Sequence, residues 1–119
     1  MQSQPPNLPT NTRGYYLQLA RRGSNWSGDQ TPALGALLQE HLAYVRQMTE
    51  AGRYSVAGPV WQSEEFVGVA VVNATSREEA EAISNAAPAA RAGHYTMQLL
   101  TAMLPDLSAV RTQYAEPER

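Results

Sequence analysis

The stretch Glu65–Asn73, EFVGVAVVN, limits this chain to few architectures. Val67, Val69 and Val71 lie on one face of an extended segment, and Phe66, Gly68, Ala70 and Val72 on the other. Both faces are apolar, so a strand made from it must be covered on both sides. The chain has 119 residues, enough for one domain with a single modest core. Helices supply one cover, and a partner subunit is the economical source of the other.

Two helix starts flank this strand. Thr31-Pro32 places a hydroxyl N-cap before proline at the first helical position. Leu34, Leu37, Leu38, Leu42, Val45 and Met48 then follow helical spacing up to a Gly52 stop. Ser76-Arg77-Glu78-Glu79 is a capping box, and its helix runs to about Ala86 with Ala80 and Ile83 inward. Ala87-Pro88 breaks this helix. Three further segments read as strands: Gly14–Ala20, Tyr54–Trp61 and His94 to about Leu104. Pro59 cannot donate to a ladder, so its strand is an edge or carries a bulge. The polar stretch Arg21–Gln30 reads as a long loop, and Pro105 as the stop of the last strand.

The order is therefore β-α-β-β-α-β: an α+β, ferredoxin-like antiparallel sheet with two helices on one face. Its apolar second face predicts a homodimer, with the tails as the alternative cover. Residues 1–13, rich in Pro, Gln and Asn, read as a flexible arm, 14–104 as the domain and 105–119 as a polar tail.

Composition removes several chemistries. With no cysteine and no lysine, thiolate nucleophiles, disulfides, lysine Schiff bases and a Walker-type phosphate lysine are excluded. Two histidines cannot form a three-histidine metal site, and no metal or other cofactor is expected. The net charge of −2, without a basic patch, argues against nucleic acid. No apolar run suits a membrane span, and the first residues do not resemble a secretory signal; a cytoplasmic location is expected.

The ordered set EHLAYVRQMTEAG, Ala57-Gly58-Pro59, a glycine-bearing third strand, SREEAEAIS and PAARAG resembles the YCII-related proteins over about Tyr15–Leu104. The resemblance implies a dimeric α+β barrel with a histidine and an aspartate together in a pocket. That dyad is proposed to be catalytic, and one branch removes chloride from a chlorinated hydroxyquinol. Carried over, the histidine is His41 and the turn is Ala57–Pro59. The family aspartate, which precedes a proline, is replaced by Ala87 before Pro88. The only aspartates, Asp29 and Asp106, lie elsewhere.

His41 stands four residues from both Leu37 and Val45, on the inward helix face. As a neutral imidazole in a pocket it would serve as a general base; the alternative is a structural core histidine. His94 opens the last strand, either half-exposed or at a pocket mouth. Trp26 either caps a core edge or lines a ligand mouth. The residues expected around a ligand are Tyr16, Trp26, Ala57, Gly58, Pro59, Pro88 and His94, with His41 catalytic.

Three functions follow for a small, aromatic or phenolic partner molecule. One is a cofactor-independent lyase, dehydrohalogenase or isomerase on a phenolic or quinol-like substrate. The second is a non-catalytic ligand-binding or protein-interaction module without the dyad. The third, by fold analogy, is a cofactor-free monooxygenase.

Overall fold

A computed structural model describes residues 6–115; the start of the expected N-terminal arm, 1–5, and the end of the tail, 116–119, lie outside the described residues. The elements are β1 (Thr12–Arg22), α1 (Pro32–Glu50), β2 (Tyr54–Pro59), β3 (Phe66–Val72), α2 (Arg77–Asn85), α3 (Pro88–Arg91) and β4 (Tyr95–Pro105). The four strands form one antiparallel sheet in the order β2-β3-β1-β4, the ferredoxin-like arrangement. No helix of the described residues is long and apolar enough to cross a membrane.

Local chemistry explains the boundaries. The Thr31 hydroxyl accepts the Leu34 amide at 3.1 Å, and Ser76 accepts the Glu79 amide at 3.1 Å. Each satisfies one of the amides that a helix start leaves without a partner. Gly52, at φ 77°, turns the chain out of α1 in the left-handed region, which glycine enters without a Cβ clash. β2 is an edge strand, the first of the two options Pro59 allowed, and its register shifts between Tyr54 and Val56.

Some boundaries differ from the sequence reading. β1 extends through Arg21 and Arg22, expected in the loop, because they pair with Thr96 and Tyr95 of β4. Pro88 does not merely end a helix; it occupies the first turn of α3, which the sequence reading lacked. Trp61 lies beyond β2 and is 82% exposed.

The helices cover the sheet face that carries Tyr16, Gln18 and Ala20. Tyr54, Ala70, Val72, Ala80 and Leu99 form its buried cluster, with Tyr44, Val45, Met48 and Ile83 packed against it. On the opposite face Leu17, Leu19 and Val69 are half-buried and Leu100 is exposed. The tail leaves β4 along this side. The Leu107 amide donates to the Tyr15 hydroxyl at 2.8 Å, and Tyr114 then receives the Arg46 guanidinium 4.4 Å from its ring centre.

Candidate functional site

A cavity of about 150 Å³ lies between α1 and the sheet, lined by 15 residues, mostly apolar. It exists because its floor is made of small residues. Ala20 of β1, Gly68 and Ala70 of β3 and Ala57 of β2 stand opposite α1 and leave its side chains unmatched. Leu42 is on the apolar stripe of α1, yet it is 63% exposed at the rim.

His41 lines this cavity together with Ala57, Gly58 and Pro59. The Ala89 amide donates to its Nδ1 at 3.3 Å. Tyr95 meets it edge-on, with ring centres 5.2 Å apart at 86°. Among the described residues Nε2 has no protein hydrogen-bond partner and is not an enclosed, unsatisfied atom, so it keeps some accessibility on a residue that lines the cavity. Burial lowers the His41 pKa, and a positive charge on neighbouring His94 would lower it further. No carboxylate of the described residues lines the cavity. Nor do three or more His, Cys, Asp or Glu side chains of the described residues come together to hold a metal ion.

The other sequence candidates stand outside the cavity wall. Tyr16 packs beside the buried cluster and borders a separate depression with Gly14, Thr101 and Met103. Pro88 starts α3 and so positions the Ala89 amide without lining the cavity. His94 corrects the expectation of a half-exposed strand end. It is 4% exposed, because Trp26 stacks on it with ring centres 4.5 Å apart. Trp26 lies under the Arg22 guanidinium at 4.9 Å and next to Tyr95 at 6.2 Å. It is therefore a cap over His94 and Tyr95, and touches the cavity only through Tyr95. The His94 pKa is lowered by burial, against a backbone hydrogen bond with Asn25 that raises it.

Sequence reasoning missed Tyr95, Gln18 and Tyr54 as lining residues. A period-two count back from Leu99 places Tyr95 and Met97 on the helix-covered face, so that signal was present. Gln18 carried none. Its Oε1 accepts from the Ser84 hydroxyl at 2.6 Å and from the Tyr54 hydroxyl at 3.4 Å, which makes a polar residue admissible in the core. A larger depression, about 570 Å³, opens between the tail and the end of α1. It lacks histidine and is more polar in its lining, so the His41 cavity is the better candidate.

The two imidazoles set a pH dependence. Each has a folded-state pKa below the ordinary 6.5, so the unfolded chain binds more protons as pH falls. Their contribution to stability is complete above that value and is lost as pH drops through the folded-state values. Urea unfolding at about pH 7.5, 6.5 and 5.5 is expected to show falling stability, with a shallower fall in His41→Ala. Constant or rising stability over that interval would contradict the assigned shifts.

A family model described as the YCII-related domain matches residues 19–104. Among solved structures, one similar chain is 5-chloro-2-hydroxyhydroquinone dehydrochlorinase from Burkholderia phenoliruptrix AC1100, in complex with 2,5-dihydroxybenzoquinone. It is 20% identical, with a TM-score of 0.43, over 72% of this chain and 90% of that one. No curated protein matches the sequence.

Proposed function

The chain belongs to the YCII-related domain family, and on that premise we propose that it binds one small organic molecule, phenolic or quinone-like, in the cavity beneath α1. The observation that carries this reading is the pairing of an apolar cavity with an imidazole whose Nε2 has no hydrogen-bond partner among the described residues. A cavity near 150 Å³ has room for about one benzene-sized ring. His41 and the Tyr95 hydroxyl, whose pKa burial raises, are suited to its polar edge.

The catalytic form of the reading is a cofactor-independent lyase, dehydrohalogenase or isomerase acting in the cytoplasm, with His41 at the reacting atoms. One observation favours the non-catalytic form. Ala87, fully buried, stands where the family aspartate is expected, and no carboxylate of the described residues lines the cavity. The exposed Leu100 and the half-buried Leu17, Leu19 and Val69 beside it are read as the surface for a second copy of the chain.

Histidine ring NMR signals, titrated with a panel of phenols, quinols and hydroxy acids, test the reading. The His41 signals are expected to move with one ligand class. His41→Ala should abolish any turnover of that class while the chain stays folded; a pure binding module should keep affinity within a few-fold. His41 signals that ignore every ligand would end the proposal. The mass of the same samples by sedimentation velocity decides between one chain and two.

A further inference from the structure

A histidine base needs a bare nitrogen facing its substrate. A carboxylate behind the ring provides this: it accepts a hydrogen bond from Nδ1–H, keeps the proton there, and leaves Nε2 as the acceptor. The partner of His41 has the opposite polarity. Ala89 is the second residue of α3, so its amide is one of those that a helix start leaves without a backbone partner. Ala87, at the N-cap, has no side chain to accept it. His41 Nδ1 accepts it instead, from across the domain, at 3.3 Å. A nitrogen that accepts from an amide carries no proton, so in the neutral ring the proton is on Nε2.

We propose that α3 holds His41 as the Nε2–H tautomer, and that the site recognises its ligand through an oxygen acceptor, such as a ketone or quinone carbonyl, placed against that N–H. This rests on the reading that the cavity binds a small molecule, and gives it a polarity. The neutral state suits the surroundings: burial and the nearby His94 both disfavour a second proton on the ring. Among the described residues the cavity has no carboxylate to reverse the tautomer. An imidazole N–H in such a place polarises a carbonyl and stabilises the oxyanion that develops from it. It does not remove a proton from a hydroxyl. The alanine at position 87 thus inverts the ring's role as well as removing an acid.

The full chain, labelled with ¹⁵N-histidine, tests this by long-range ¹H–¹⁵N correlation near pH 7.5, with His41→Ala for assignment. The expected spectrum has the protonated nitrogen of His41 coupled to both carbon-bound ring protons, as for Nε2–H. A proton on Nδ1, or on both nitrogens, overturns the proposal. Binding is then measured with acetophenone and its hydrocarbon isostere α-methylstyrene. His41→Ala is expected to weaken acetophenone by about three- to tenfold more than α-methylstyrene, the net effect of one hydrogen bond. Equal losses overturn the acceptor proposal while the cavity reading stands. If neither compound binds the unmodified chain, the acceptor proposal fails, and the cavity reading is decided by the phenol and quinol panel; silence there too leaves His41 as a cap on α3.

Discussion

Gly23→Ala is expected to lower stability by about 3 kcal/mol and the melting temperature by on the order of 10 °C. Gly23 follows β1 at the point where the chain crosses the turn before β4. A Cβ there would overlap the carbonyl oxygen of Gly93 and stand 2.9 Å from its carbonyl carbon and 3.0 Å from that of Tyr95. These are main-chain atoms, which cannot rotate aside as the end of a side chain can. The same crossing holds three hydrogen bonds. The Gly23 amide donates to His94 at 2.9 Å, the Asn25 amide to Gly93 at 2.8 Å and the Trp26 amide to Gly23 at 3.1 Å. Pushing the segments apart would loosen the first two, which span the crossing, and lift Trp26 from His94. The loss should therefore appear in the melt and in the environment of Trp26. Fluorescence can isolate that signal in a Trp61→Phe background, since Trp61 is the other tryptophan and is largely exposed. Gly58→Ala is the control: its Cβ would meet nothing within 4 Å, so its stability should stay within about 0.5 kcal/mol. A Gly23→Ala melt indistinguishable from that of the control would refute the account.

The contrast between these glycines shows which features of the chain are local. The helix starts were legible because Thr31 and Ser76 bond amides three residues away. The direction of His41 was legible too, from its four-residue spacing to Leu37 and Val45. Its polarity was not, since that depends on an amide 48 residues further on. Arg21 and Arg22 look like loop residues by charge, yet the β4 ladder extends β1 through them. Pro88 can end one helix or begin the next, and only the packing of Ala89, which is fully buried, decides for the second. The burial of His94 is likewise set from outside its own segment, by a tryptophan in the loop after β1. The cavity itself comes from the register that aligns Ala20 with Gly68 and Ala57 with Ala70. One strand's sequence cannot reveal that alignment of small residues.

Gln18→Leu is expected to cost about 2–4 kcal/mol, although it replaces a polar core residue with an apolar one of similar size. Gln18 is 5% exposed, and its Oε1 accepts hydrogen bonds from the Ser84 hydroxyl at 2.6 Å and the Tyr54 hydroxyl at 3.4 Å. Ser84 and Tyr54 are themselves buried, at 1% and 2% exposure, so neither can turn to water if the acceptor is removed. Burial, aided by neighbouring Tyr44 and opposed by the Gln18 bond, already pushes the Tyr54 pKa up to about 12. The phenol thus stays neutral and needs an acceptor. Desolvating two hydroxyls without partners outweighs the gain from an apolar side chain. The double change Gln18→Leu with Ser84→Ala separates these effects, because it removes donor and acceptor together. It should recover at least about 1 kcal/mol relative to Gln18→Leu alone, read from urea midpoints at unchanged slope. If the double variant is no more stable than the single one, the cost comes from packing rather than from an unpaired hydroxyl. Gln18 and Tyr54 also line the cavity, so the same bonds that stabilise the core hold the wall opposite His41 in place.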